Sequence, residues 1–217
     1  MTGDEELAEL AARVAHALRT PLGVVGGALD QLASAAAGDH ARLAELATRS
    51  LAQIARIADR LALLERLERG IVAASQPSSI RTIVGNAVAQ VTRGRRRRGV
   101  EVSVEGGSAD GSCTGDSALL AAAIAELVDN ALRFAKTRAT VEVDAASKSI
   151  VISNDGTPIS MAALESIDRA RPFAPDRSGL GIGLWIAAKI LAAHGTAIES
   201  IPQPEGSRFR VCLNRAP

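Results

Sequence analysis

From residue 7 to residue 32, apolar side chains recur at alternating steps of four and three: Leu7, Ala11, Val14, Leu18, Pro21, Val25, Ala28 and Leu32. This is the a/d seam of a helix in a bundle, with Pro21 as its one irregular member. A proline there removes a backbone hydrogen bond and predicts a kink. A second run repeats the steps: Leu43, Ala47, Ser50, Ile54, Ile57, Leu61 and Leu64. Between the runs, Ala-Gly-Asp-His at 37–40 supplies a C-cap glycine and an N-capping Asp39. The pattern predicts a helical hairpin with arms of about 30 residues, each roughly 45 Å long. Two helices cannot cover both apolar faces, so a dimeric four-helix bundle is expected, formed through residues 4–70.

Beyond residue 70 the pattern changes. Ile-Val-Ala-Ala-Ser-Gln-Pro-Ser-Ser at 71–79 reads as a linker ending in a helix-start signal, and 80–92 reads as a helix. Val100–Val104 alternates like a strand, and Asp116 opens a helix reaching Phe134. Thr140–Val143 and Ser149–Ser153 read as strands, Leu184–Ala193 as a helix, and Ala197–Ile201 with Arg208–Leu213 as a terminal hairpin. Strands and helices mix without a regular βαβ repeat, so the fold class expected is α followed by α+β. The domains are expected at 4–72 and 78–217.

Composition narrows the picture. Apolar residues make up 47% of the 217, which excludes a disordered chain, yet aromatics are only 2%. The core must be built from Ala, Leu, Ile and Val, and an aromatic platform for single-stranded nucleic acid is excluded. A net charge of +1 gives no global pull toward DNA or anionic membrane. All 25 basic residues except Lys136, Lys148 and Lys189 are Arg. Four of them, Arg95–Arg98, are consecutive and read as a solvated turn, the rival being a contact for nucleic acid or an acidic partner surface. Cys113 and Cys212 fit neither a disulfide framework nor a zinc site. No apolar run approaches the ~20 residues of a membrane span, and the acidic N-terminus lacks a signal-peptide core. A cytoplasmic chain is expected.

Candidate chemistry begins at His-Ala-Leu-Arg-Thr-Pro-Leu, 16–22. On the heptad count His16 falls two places after the seam residue Val14, so its imidazole points outward. The segment resembles the H-box of sensor histidine kinases of two-component signalling, whose pattern is His, acid, Leu, Arg, Thr, Pro, Leu; six of seven positions agree. The resemblance implies that His16 is the phosphoacceptor, with Arg19 and Thr20 in the same box. Thr20 stands where relatives orient the water that dephosphorylates the partner, so phosphatase activity is a further expectation. The departure is Ala17, where relatives carry an acid that serves the imidazole as base. Glu9, seven residues back, is about 10 Å along the axis and too far to replace it.

Glu-Leu-Val-Asp-Asn-Ala-Leu-Arg-Phe-Ala at 126–135 places Glu126, Asn130 and Arg133 on one helix face. It resembles the N-box of the GHKL superfamily, which includes histidine kinases, gyrase, Hsp90 and MutL. That implies Mg²⁺ on Asn130, a base or water-orienting group in Glu126, which the reading also assigns to the metal, and a phosphate contact from Arg133. Ser-Asn-Asp-Gly-Thr-Pro-Ile at 153–159 resembles the G1 box, Asp-x-Gly-x-Gly-Ile. Alignment puts Asn154 where the adenine-accepting Asp stands, Gly156 on the first Gly and Pro158 on the second, with Asp155 one position off. Adenine selection is expected to survive with weaker affinity.

Ser-Gly-Leu-Gly-Ile-Gly-Leu at 178–184 precedes a helix and resembles the G2 box. Gly179, Leu180, Gly181, Gly183 and Leu184 are therefore phosphate-loop candidates, since alternating glycines let backbone N–H groups approach phosphate oxygens. Phe173 resembles the F-box aromatic. His194-Gly195 follows the last helix, and His194 is expected to be structural. The boxes run in the family's order.

The resemblance implies a helical hairpin followed by a GHKL (Bergerat-type) α/β sandwich binding ATP and Mg²⁺. It implies self-phosphorylation of His16 and transfer to an Asp of a response-regulator receiver domain. A sensor input is expected from another chain or from a missing sensor segment. The rival expectation is a histidine phosphotransferase or phosphatase scaffold whose ATPase-like domain does not use ATP; Ala17, Asn154 and Pro158 lean that way. Intact Glu126, Asn130, Arg133 and three glycines lean against it. A serine/threonine kinase of the anti-sigma type shares the ATPase fold but not the hairpin.

Overall fold

A computed structural model describes residues 3–32, 39–68, 76–92, 100–106, 111–159 and 182–213. The chain divides into two compact units, the first ending at Arg66 and the second beginning at Leu67.

The first unit holds α1 (Gly3–Leu32) and α2 (His40–Glu68). α1 runs unbroken through Pro21. The seam is visible in burial. Pro21 and Ala28 are buried seven residues apart, as are Leu43, Ser50, Ile57 and Leu64 on α2. Val14, Leu18, Val25, Leu32, Ala47, Ile54 and Leu61 are half-buried. A repeat of seven keeps one stripe facing one side of a helix, and here that stripe is apolar except for Ser50. The Leu43 N–H bonds the Asp39 carbonyl at 3.0 Å, closing the first turn of α2.

The second unit is a layer of helices on a sheet. Its elements are β1 (Pro77–Ser79), α3 (Ile80–Thr92), β2 (Glu101–Gly106), β3 (Ser112–Thr114), α4 (Ser117–Phe134), β4 (Arg138–Asp144), β5 (Ser149–Asn154), α5 (Gly183–Ala193), β6 (Ile198–Ser200) and β7 (Ser207–Cys212). The main sheet has five strands in the order β2-β4-β5-β7-β6. β2 lies parallel to β4, and the other pairs are antiparallel. Residues 77–79, read above as linker, instead form a strand paired antiparallel with 112–114. Three-residue strands are too short to carry a period. The helix-start reading holds, because the Ser79 hydroxyl accepts from the Thr82 N–H at 3.0 Å.

Rows of inward side chains cross the sheet. Val141, Ile152 and Phe209 are in register, as are Val143, Ile150 and Val211, and all six are buried. α4 packs between α3 and α5 and also touches β4 and β5. That position explains why Leu119, Leu120, Ile124, Leu127, Val128, Ala131 and Leu132 are buried around most of its circumference. Small Ala residues at 121, 123, 125 and 131 allow this close approach.

Asp116 caps α4, accepting from the Ala118 and Leu119 N–H groups at 3.0 and 3.1 Å. Its own N–H donates to His194 Nε2 at 3.1 Å, while His194 Nδ1 meets the Ile190 carbonyl at 2.7 Å. The two bonds define one neutral tautomer, with the proton on Nδ1. His194 thus ties the end of α5 to the start of α4, the structural role expected of it.

Candidate nucleotide site

The site is assembled where α4 ends and β5 ends. The Thr157 N–H donates to the Phe134 carbonyl at 3.2 Å, and a Cβ on Gly156 would lie 1.6 Å from that oxygen. Only glycine permits so close an approach. The contact brings the 154–157 segment to the C-terminal turns of α4, which carry Asn130 and Arg133. Glu126, Asn130 and Arg133 are all half-buried on α4. The Arg133 guanidinium lies over the Phe134 ring, 4.8 Å from its centroid.

Asn154 and Asp155 have separate fates. Asn154 is in register with Ala139 on one side and Ser207 on the other, two residues beyond inward-facing Ile152. It therefore lies on the helix-facing side, only 6% exposed, and its Nδ2 is buried with no hydrogen-bond partner among the described residues. An orphaned amide of this kind costs about 1–3 kcal/mol until something accepts from it.

Asp155 is committed to the turn between α4 and β4. Its carboxylate accepts from the Lys136 N–H at 2.9 Å, from the Thr137 N–H at 3.1 Å and from the Thr137 hydroxyl. These bonds, the Thr137 hydroxyl first, hold its carboxyl well below the usual carboxylate range. A carboxyl pKa lowered by folding adds stability that is complete above the unfolded value of about 4 and is lost as pH falls below it. Asp155→Asn should therefore flatten the acid limb of a plot of unfolding midpoint against pH below about pH 4. An unchanged limb would show that the turn does not need the charge.

Two residues without a box of their own belong here. Gly206, at φ +73°, would place a Cβ 1.7 Å from the Asn154 carbonyl oxygen. Buried Ser207 accepts from the Ile159 N–H through its hydroxyl at 2.8 Å. Only the close approach of Gly206 to Asn154 and the register of Ser207 with it mark these two.

Gly183 and Leu184 open α5, with no side-chain cap on its first turn. Phe173, Gly179, Leu180, Gly181 and the Arg95–Arg98 run lie outside the described residues. His16 lies within α1, with Arg19 and Thr20 exposed one turn on; the side chains of His16 and Ala17 lie outside the described residues. Among the described residues no three His, Cys, Asp or Glu side chains converge as a metal cluster. A magnesium ion bound mainly through nucleotide phosphates needs only one or two protein oxygens, which Asn130 and Glu126 fit.

A helical hairpin followed by an α/β sandwich, with a five-stranded mixed sheet under three helices, defines the fold class. Comparison with known proteins agrees. The family model "His Kinase A (phospho-acceptor) domain" matches residues 6–70, and "Histidine kinase-, DNA gyrase B-, and HSP90-like ATPase" matches residues 115–217. The chain belongs to the sensor histidine kinases, as their catalytic core.

Among curated relatives, the sensor-like histidine kinase SenX3 of Mycolicibacterium smegmatis is 26% identical over 96% of this chain and 58% of its own length. The sensor histidine kinase CusS of Escherichia coli is 32% identical over 54% of this chain and 26% of its own length. The chain thus spans little more than half of the longer match. Among solved structures, the Acinetobacter baumannii histidine kinase AdeS superposes with a TM-score of 0.65 at 18% identity, over 92% of this chain and 98% of that one. The Mycobacterial sensor histidine kinase MprB gives 0.54 at 22% identity, over 64% of this chain and 97% of that one. These two likenesses support the fold. No helix among the described residues is long and apolar enough to cross a membrane.

Proposed function

We propose that the protein phosphorylates His16 from ATP and passes the phosphoryl group to an aspartate of a response-regulator receiver domain, working as a homodimer through residues 4–70 on the cytoplasmic side. The observation that carries this reading is the joint between Gly156 and Phe134. It joins the segment that carries buried Asn154 to the end of the helix that carries Glu126, Asn130 and Arg133. A base-reading group and a phosphate-reading face on one rigid junction suit a nucleotide better than an isolated phosphate.

In this reading Asn154 and the glycines at 156 and 206 seat the base, Arg133 contacts phosphate, and the 179–184 loop with the start of α5 covers the phosphate tail. Asn130, with Glu126, would hold Mg²⁺, which would supply charge neutralisation at the phosphates. An imidazole nitrogen of His16 attacks the γ-phosphorus in line, the bond to the ADP oxygen breaks, and a phosphoramidate forms. A receiver carboxylate then attacks that phosphorus and releases the imidazole. In the phosphatase activity expected of the same box, Thr20, one turn from His16, orients a water that attacks the receiver's aspartyl phosphate and releases inorganic phosphate and the free aspartate. The protein supplies positioning and charge, since phosphoryl transfer needs little covalent help.

Incubation of the full chain with γ-labelled ATP and magnesium, followed by addition of a receiver domain, tests the proposal. Acid-labile, base-stable label that moves to the receiver is the expected result. No label from ATP, together with phosphate accepted from a phosphorylated receiver, would instead establish the phosphotransfer scaffold. Ala17 bears on the rate. A carboxylate acting as general base is worth on the order of a hundredfold or more, so Ala17→Glu should speed labelling by about that factor. An unchanged rate would show that proton removal from His16 is not limiting.

A further inference from the structure

We propose that Asn154 makes this a purine pocket rather than an adenine pocket, so that guanine and hypoxanthine nucleotides bind alongside adenine nucleotides. The inference rests on the reading of the second unit as a nucleotide domain and goes further, to which base it takes.

The backbone around Asn154 is pinned. Its carbonyl accepts from Gln203 Nε2 at 3.2 Å, Gly206 packs against that same oxygen, and the Ile159 N–H is held by Ser207 at 2.8 Å. Its side chain is also enclosed, at 6% exposure, yet Nδ2 has no acceptor among the described residues. No bond of Nδ2 therefore fixes which end of the amide faces a ligand. The neighbouring carboxylate of Asp155 is already bound to the Lys136–Thr137 turn, so it supplies no charge to the base in place of Asn154.

The chemistry follows from donor and acceptor counts. An ionised carboxylate only accepts, so it takes an edge presenting an amino group and repels one presenting a carbonyl. An amide does both. Facing adenine, Oδ1 accepts from the 6-amino group while Nδ2 donates to N1. Turned over, Nδ2 donates to O6 of guanine or hypoxanthine while Oδ1 accepts from N1–H. Both pairings are two-bonded, and both give the orphaned Nδ2 an acceptor. Discrimination between a 6-amino and a 6-oxo purine vanishes at this contact.

Direct binding of ATP·Mg²⁺, GTP·Mg²⁺ and ITP·Mg²⁺ to the full chain, by calorimetry and by fluorescence of buried Trp185, decides the matter. The three affinities should agree within about threefold, and Asn154→Asp should raise the ATP-to-GTP ratio at least about tenfold, chiefly by weakening GTP. GTP binding about a hundredfold weaker than ATP in the wild type would overturn the purine proposal and leave the ATP reading standing. If no nucleotide binds, both readings fall. Comparable GTP and ATP binding with an unchanged ratio in a folded Asn154→Asp variant would remove Asn154 from the role. Should that variant not fold, the wild-type comparison still decides.

Discussion

His16→Ala should abolish the acid-labile, base-stable label that γ-labelled ATP leaves on the protein, a loss of at least about a thousandfold. The chain has three histidines, and the structure separates them. His194 has both ring nitrogens engaged, Nε2 accepting from the Asp116 N–H and Nδ1–H donating to the Ile190 carbonyl, so its one lone pair is already in use. His40 is exposed at the first position of α2 and could compete as a nucleophile. His40→Ala should leave the label intact, and this control gives the His16 result its meaning. Label that persists in His16→Ala and disappears in His40→Ala would move the phosphoacceptor to the second helix. Nucleotide binding, followed at Trp185, should be unchanged in His16→Ala, which separates loss of the acceptor from loss of the pocket.

Gly156→Ala should cost about 3 kcal/mol and lower Tm by roughly 10 °C, with nucleotide affinity falling in parallel. The added methyl would lie 1.6 Å from the Phe134 carbonyl oxygen and 2.6 Å from its carbon. Both are backbone atoms, so no side chain can rotate away to make room. Relief requires the end of α4 to part from the end of β5, which breaks the bond from the Thr157 N–H to the Phe134 carbonyl and displaces Asn130 and Arg133 from Asn154. Gly85 is the matched control. It is exposed on α3 with nothing within 4 Å of an added Cβ, so Gly85→Ala should be neutral or stabilising by up to about 1 kcal/mol. Equal effects at the two glycines would mean that the joint at Gly156 does not position the site.

The two glycines show where sequence legibility ends. Both sit in the sequence as Gly, but only the close approach of Phe134 separates an obligatory one from a replaceable one. The same holds for Asn154 and Asp155. As neighbours in the G1 box they were both candidates for the base. The structure buries the first with its Nδ2 unpartnered among the described residues, and engages the second in a turn closed 18 and 19 residues away along the chain. Gly206 and Ser207 could not be singled out at all, because their relevance is a close approach to the Asn154 carbonyl in the first case and a cross-strand register with Asn154 in the second.

What the chain determines by itself are the features whose signal is local and periodic. The sevenfold spacing of Leu43, Ser50, Ile57 and Leu64 announces the buried stripe of α2, and Asp116 and Ser79 announce helix starts. The order of the boxes announces the class. The stripe and the helix starts depend on residues a turn or two apart, where helix geometry converts spacing directly into a face. Tertiary structure alone decided the strand order β2-β4-β5-β7-β6, the pairing of three-residue β1 with β3, the tie from His194 to Asp116 and the isolation of the Asn154 amide. Each joins residues tens of positions apart. Such contacts depend on how whole elements fill space and match hydrogen-bonding groups, which no local spacing records.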